Sequence, residues 1–454
     1  RRFGANFLIG WNYSFTAGIF CYPAGFHEVA SRRGMLTSLT LPHVKDFKAN
    51  LDDPVQAEAY RRQCEHLIRR FQNVPGVVMY VMNHNSMGYP GDQNPLRIGT
   101  SYRPEEVLLP SATGYRVQAS RAEAIAKQLD ATRPVYHHES GNLGDVYTIN
   151  CYLNWAPRQE RSDWLEHWEK NGTMPLMFVE WGLPHIASWS SYRGPSFIWS
   201  GNVLQCIWFN EHNAAMLGEE AYRADAAKSE LYAHQEKLVK GNRNSSFSAL
   251  GSHDLLNRIE DVHRVRAFYA RRNFRDLRWR GISGLLPWDQ FTFAQWEGRK
   301  EGVGENPDRF TNLKRPGLVP DYFFDTGDCL HNVFSNYSLT TTGRAIVPNF
   351  GDCLAWIGGA AGDITENGHN FRPGETVRKT IAVLNDGRRE VNVEWRWEVA
   401  ALQRSGSGSL ILDAGERKAV PVEFQIPAGM HGEAVIEATA IFSGGKEFRD
   451  RMAF

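Results

Sequence analysis

The 454-residue sequence has no charge surplus, with 51 Lys and Arg against 51 Asp and Glu. Binding to a phosphate backbone draws on a basic surplus or stripe, so nucleic acid is not expected as a partner. The basic clusters at Arg1–Arg2 and Arg271–Arg280 read instead as solvated helix faces. No apolar run is long enough to span a membrane, so no membrane partner is expected. The six cysteines (Cys21, Cys64, Cys151, Cys206, Cys329, Cys353) are scattered, and none forms a C-x-x-C pair. That argues against a zinc ribbon or a dithiol redox motif. They read mostly as buried free thiols, with a Cys329–Cys353 disulfide left open for an exported chain. No G-x-G-x-x-G or G-x-x-x-x-G-K-[ST] turn follows a strand candidate, so no nucleotide cofactor, and no cofactor of another kind, is expected. The absence of G-x-S-x-G speaks against a serine hydrolase. No signal peptide is visible. The chain opens without Met at "RRFGANFLIGW", directly at a strand-like run, and reads as a processed chain or a fragment.

Aromatic residues are plentiful: 14 Trp, 16 Tyr and 25 Phe. A large core uses many of them, but polar loops such as "CYLNWAP" and "GLPHIASWSSYRG" also carry them. Flat sugar faces stack on such rings, which bury apolar area and keep a polar edge free. The rim candidates are Trp155, Trp181, Trp189, Tyr192 and Trp199. Trp164 and Trp168, in "DWLEHWEKNG", fit the apolar stripe of a helix instead.

Over residues 1–298 short apolar runs alternate with helical patterns. The strand candidates are 6–11, 34–41, 76–82, 133–138, 146–153, 175–181 and 280–288. Runs of this kind fit strands buried on both faces of a parallel sheet. Residues 53–72 form a helix candidate with an Asp cap and a stripe of Ala57, Tyr60, Cys64, Leu67, Ile68 and Phe71. Further helices are expected over 120–131 and 253–279. The α/β alternation fits a (β/α)8 TIM barrel, incomplete at its N-terminus, with the first strand missing. Residues 299–351, rich in Gly, Pro and Asn, read as an ordered connector. From 352 to 454 the pattern is period-two: "VNVEWRWEV" puts Val391, Val393, Trp395, Trp397 and Val399 on one face. That predicts an all-β, immunoglobulin-like sandwich.

In a barrel of this type the active site lies at the C-terminal ends of the strands. Two stretches stand out there. "PLMFVEWGLPH" ends an apolar run in Glu180, and a carboxylate leaving a buried strand is costly unless it is paired or functional. "VVMYVMNHNSMGYPG" ends in Asn83, His84 and Asn85, with no acid. "HHESG" places His137, His138 and Glu139 at a third strand end. Three histidines raise the question of a metal, but His137 and His138 are adjacent on a strand and point to opposite faces, so no metal is expected.

The order of these motifs resembles clan-A glycoside hydrolases, most closely glycoside hydrolase family two, the β-galactosidase and β-glucuronidase group. "AKQLDATRPVYHH" resembles the family's helix–"LDPTRPV"–strand passage, and "DVYTINCYLNW" its following, tyrosine-bearing strand. "MFVEWG" resembles "SEYG", and "RGISGLLPWDQF" resembles the last barrel strand with its sugar-flooring Trp. The resemblance implies a β-glycosidase of β-galactosidase type acting on carbohydrate, with Glu180 as the nucleophile of a retaining mechanism. It gives Tyr152 and Trp288 subsite roles and favours a periplasmic or extracellular location.

The chain departs from the family where the acid/base Glu of "W-S-L-G-N-E-S" falls on Asn85, and where "R-T-S-H" is replaced by "I-G-W-N", ending at Asn12. An amide cannot donate a proton and recover it. His84 and Glu139 are therefore the candidate proton donors, with Asp289 a weaker one. The expected sugar-binding set is Asn12, Asn83, Asn85, His137, His138, Tyr152, Trp181, Trp288 and Asp289. A barrel that kept its sugar cleft and lost its acid is the alternative.

Overall fold

The computed structural model of the chain describes residues 4–9, 25–84, 110–151, 162–181, 213–230, 233, 258–287, 293–296, 337–366 and 368–454. It divides into two compact units. The first is Arg1–Asn154, Lys170–Arg266 and Ser283–Arg344; the second is Trp155–Glu169, Ala267–Ile282 and Ala345–Phe454.

Among its described residues the first unit holds seven strands in parallel ladders, six of them inside a run singled out from the sequence, while the third continues two residues past its expected run, 76–82. They are β1 (Phe7–Leu8), β2 (Leu36–Thr40), β3 (Val77–His84), β4 (Val135–His138), β5 (Tyr147–Cys151), β6 (Leu176–Trp181) and β7 (Gly284–Pro287). The ladders among these seven are parallel, in the orders β1-β2-β3-β4 and β5-β6-β7. Between β4 and β5 the chain doubles back: Asp145 donates its N–H to the Val135 carbonyl at 2.8 Å, and Val135 donates to the Asp145 carboxylate at 2.7 Å. Gly144 sits in this return at φ 94°, and a Cβ there would lie 2.8 Å from the Val135 carbonyl oxygen, so the position requires glycine.

The strands are apolar on both faces for two different reasons. Outward residues such as Leu39, Tyr80, Met82 and Val135 lie in a cluster formed with the helices α2 (Pro54–Phe71) and α3 (Pro110–Leu129), while α1 (Phe26–Arg32) lies against β2. Inward residues Val81, Tyr136, Val146, Met177 and Val179 form a second cluster. Phe7 and Ile9 at the first strand and Leu286 of the last pack on that same cluster. Side chains from both ends of the strand order share one interior, as in a closed barrel and unlike an open sheet. Helix α2 follows its sequence signals closely. Asp53 caps it, accepting from the Val55 N–H at 2.9 Å, and Tyr60, Cys64, Ile68 and Phe71 are buried. Helix α3 begins earlier than the expected 120–131, because Tyr115 extends its contact with the outer cluster.

The "DATRPV" passage is a structural knot. Arg133 donates to the carbonyls of Gln72 at 2.5 Å and Val77 at 2.8 Å, and to Asp130 at 2.8 Å. Asp130 also accepts from the Tyr80 hydroxyl and from Thr132. One guanidinium thus ties the end of α2, the start of β3 and the turn into β4. In the described part of the connector, β8 (Ala294–Trp296) pairs antiparallel with β9 (Tyr337–Leu339).

The second unit contains two antiparallel sheets. One has the order β10-β11-β14, formed by β10 (Cys353–Gly358), β11 (Thr376–Asn385) and β14 (Arg417–Gln425). The other has the order β13-β12-β15-β16, formed by β12 (Val391–Val399), β13 (Arg404–Leu412), β15 (Val435–Phe442) and β16 (Glu447–Ala453). Residues from both sheets, including Ile381, Val422, Phe424, Val393, Trp397, Ile436 and Phe442, enclose one core. The expected alternation on β12 holds: Val393, Trp397 and Val399 are buried and Asn392, Glu394, Arg396 and Glu398 exposed. Cys353 is a free thiol, and Cys329 lies outside the described residues.

The Arg271–Arg280 cluster differs from its expected role as a solvated face. It runs through helix α5 (Glu260–Trp279), and the Arg272, Arg275, Arg278 and Arg280 side chains are largely buried. Arg275 pairs with Asp450 at 2.8 Å, Arg278 with Asp386 at 2.5 Å, and Arg280 with Asp163 at 3.0 Å and Glu169 at 2.9 Å. Arg272 donates to the Ile364 and Glu366 carbonyls. Trp279 packs edge-on against Trp356 in a cluster with Leu354 and Leu384 on the outer side of the three-stranded sheet. Trp168, expected in a helical stripe, is buried in the short helix α4 (Glu166–Asn171).

Asp276 is buried in this cluster, 3.1 Å from Arg272. Burial raises its pKa to about 6, against the opposing charge of Arg272 and with the help of Asp163. An unfolded aspartate ionises near pH 4. Between about pH 4 and about pH 6 the folded state therefore holds the extra proton, and stability falls as pH rises through that window. Asp276→Asn should flatten this fall, read as a smaller change in urea midpoint between the two pH values than in the parent chain. Equal slopes would remove Asp276 as their source.

Candidate active site

Glu180 is the next-to-last residue of β6, and its inward aim depends on a register break. In the β5–β6 ladder Ile149 pairs with Phe178 and Asn150 with Glu180, which leaves Val179 as an extra residue on β6. Met177 and Val179 face the interior. Strict period-two alternation would then send Glu180 outward to the helix layer. The bulge lets Val179 and Glu180 both face inward, a common use of bulges next to functional sites. Register also breaks between Val81 and His84 on β3, and between Phe178 and Trp181 against β7.

Across the interior, His138 at the end of β4 has the same parity as the inward Tyr136. Its Nε2 lies 2.9 Å from Glu180 Oε1, with both side chains almost fully buried. Burial pushes the His138 pKa down to about 3, so its imidazole is neutral at neutral pH. A neutral ring meeting a carboxylate through Nε2 carries its proton there and donates it. His137, expected among the sugar-binding groups, is turned the other way: its Nε2 faces Glu123 of α3 at 3.4 Å. Consecutive strand residues face opposite sides, and His137 falls on the helix side.

Glu139 follows directly, fully buried and at φ 51°. A left-handed conformation in a non-glycine residue costs about 1 kcal/mol or more and concentrates at functional sites. The segment after it is held by Thr148, whose hydroxyl accepts from the Ser140 N–H at 3.1 Å and donates to the His137 carbonyl. Buried Arg116 of α3 donates to Asn142 in the same segment.

Trp181 is buried in β6, in register with Cys151 and Pro287. Asn83 and His84 end β3, and His84 pairs in register with His138. Asn12, Asn85, Tyr152, Trp288 and Asp289, with the rim candidates Trp155, Trp189, Tyr192 and Trp199, lie outside the described residues. Asn150 is not among the residues that the sequence pattern singles out. It is fully buried, beside Glu180 in the ladder. Its signal in the sequence is a second polar residue, after Thr148, at the same parity as Val146. Among the described residues no group of three His, Cys, Asp or Glu is arranged to hold a metal ion. An open groove of about 580 Å³ lies on α2, lined by Arg62, Glu65, His66, Arg69 and Arg70. It is a charged helix surface and includes none of these groups.

Residues 28–235, a little under half of the chain, match the family described as "Glycosyl hydrolases family 2, TIM barrel domain". No curated protein matches the chain. Among solved structures it is similar to a β-D-mannosidase from Dictyoglomus thermophilum, at 11% identity over 98% of this chain and 46% of that one, with a TM-score of 0.47. It is similar to the exo-chitosanase CsxA of Amycolatopsis orientalis at 11% identity over 100% and 45%, with a TM-score of 0.41. A third is Bacteroides uniformis beta-glucuronidase 3, at 15% identity over 99% and 44%, with a TM-score of 0.35. The chain thus spans less than half the length of each. By its family match the chain is glycoside hydrolase family 2-like, with residues 28–235 corresponding to that family's TIM barrel domain.

Proposed function

We propose that this chain carries the barrel of a retaining β-glycosidase with Glu180 as nucleophile. One observation carries the reading: a buried carboxylate at the end of β6, turned inward by a bulge and hydrogen-bonded to His138, within sequence that matches the family barrel. In the first step a Glu180 oxygen would attack the anomeric carbon while an acid protonates the departing glycosidic oxygen. In the second step the same group, now a base, would take a proton from the water that displaces Glu180. The proton donor is Glu139 or His84. Glu139 follows the residue that bonds Glu180 and is held in a strained backbone. Asn85, at the family's acid position, would hydrogen-bond the sugar instead. The substrate class is a β-linked oligosaccharide or glycan fragment, β-galactosides among the first to try.

Hydrolysis of aryl β-glycosides with good leaving groups, set beside natural β-linked oligosaccharides, tests the reading. Such aryl groups need little acid assistance. Turnover of both supports a complete acid–nucleophile pair. Turnover of the activated substrates alone supports a live nucleophile with a weak acid. Sugar binding with no turnover of either would replace this reading with a sugar-binding barrel.

A further inference from the structure

The histidine that meets Glu180 comes from β4, a strand that is not β6's neighbour in the ladder; β5 lies between them in the order of strands. The contact therefore crosses the interior, and the backbone ladder does not enforce it. Two local features set it up. The bulge at Val179 swings Glu180 inward, and the period of β4 sends His137 to Glu123 and leaves His138 facing the interior.

Resting on the nucleophile reading above, we propose that His138 is a positioning residue for Glu180, donating an Nε2–H hydrogen bond to Oε1 so that Oε2 is held toward the sugar. Among the described residues, the titratable groups near it are Glu180 itself, Glu139 next in sequence, Tyr136 at the same parity on β4 and its register partner His84 on β3, with His137 and Glu123 on the opposite face of the strand.

A neutral donor has a definite chemical use here. It stabilises the carboxylate relative to the protonated acid without adding a positive charge to the site. Glu180 would lose its charge on forming the glycosyl ester and recover it when water displaces it. A donor held at Oε1 is stronger toward the carboxylate than toward the ester. His138 thus favours Glu180 as a leaving group in the second step as well as its ionisation in the first.

The test uses the full chain and an activated aryl β-glycoside, with kcat/KM followed against pH. In His138→Ala the acidic limb, which reports Glu180 ionisation, should move up by about one pH unit or more. Its plateau should fall about tenfold to a hundredfold, as expected for loss of a hydrogen bond to a charged group. In His138→Asn an amide donor remains, and part of both effects should be recovered. A limb that stays in place in both variants, or an Asn variant no better than Ala, overturns the proposal.

Glu180→Gln separates this from the reading it rests on. Full activity in that variant removes the nucleophile assignment whatever His138 does. An inactive Gln variant with an unmoved limb in the His138 variants removes only the role of His138. If no aryl glycoside is turned over, the Glu180 carboxyl pKa is read directly by isotope-edited infrared titration. A rise in His138→Ala supports the hydrogen bond, and no change overturns it.

Discussion

Glu180→Gln should lower kcat on activated aryl β-glycosides by at least about a thousandfold, the scale seen when a covalent nucleophile is removed. The substitution is nearly isosteric. Its amide oxygen can still accept the His138 Nε2–H, now 2.9 Å from the Glu180 oxygen, so the interior contact survives. On the proposed nucleophile role, what would be lost is the negative oxygen that attacks the anomeric carbon. The loss should be the same across the pH range, because no titration restores it. Unfolding midpoints should stay close to those of the parent, which separates a chemical defect from a structural one. Glu180→Ala adds a second arm. It leaves room beside the sugar, and azide should restore turnover by attacking from the vacated side. The product of a β-glycoside would then be an α-glycosyl azide, with inverted configuration. Full activity in the Gln variant would make Glu180 a buried structural group and end the nucleophile reading.

Much of this site follows from local pattern, and the exceptions share a cause. The apolar runs mark the seven parallel strands of the first unit, with β3 two residues longer than its run, and the Asp53 cap and 3.6-residue stripe mark α2. Glu180 was identified by its chemistry at a strand end, yet strict alternation from Met177 would have turned it away from the interior. Whether a bulge falls at Val179 depends on how β5 and β6 pair, and the run "LMFVEW" alone does not contain that information. The position of Asn150 beside Glu180 depends on the same pairing and is likewise absent from the run "YTINC" alone. The arginines of α5 show the limit at longer range. Their spacing reads as an exposed basic face, but Asp163, Asp386 and Asp450 are remote in sequence and cover them. Charge patterning describes what a helix presents; only the tertiary fold says what meets it.

Arg133→Ala should destabilise the first unit by about 2 kcal/mol, the scale for losing charged hydrogen bonds at a partly buried site. This arginine lies in the passage that resembles "LDPTRPV", and its contacts show what it holds together in the fold. The planar guanidinium reaches the Gln72 carbonyl, the Val77 carbonyl and the Asp130 carboxylate at once. Truncation leaves those acceptors to find other partners and leaves the Asp130 charge beside the buried Tyr80 ring. Arg133→Lys should recover less than half of the loss, because a single ammonium cannot span the three acceptors that a rigid fork meets. Burial alone would raise the Asp130 pKa, but hydrogen bonds from Thr132, Tyr80 and Arg133 hold it well below the usual carboxylate range. Its contribution is therefore complete above about pH 4 and is lost as pH falls below that. The parent and Arg133→Ala midpoints should converge in acid, and urea unfolding at several pH values would show it. Equal midpoints at neutral pH would sink the prediction. The consequence for the site is indirect but directional. β4 begins at Val135 and ends at His138, so loosening its entry loosens the strand that holds the histidine against Glu180. Arg133→Ala should for this reason lower kcat more than it raises KM.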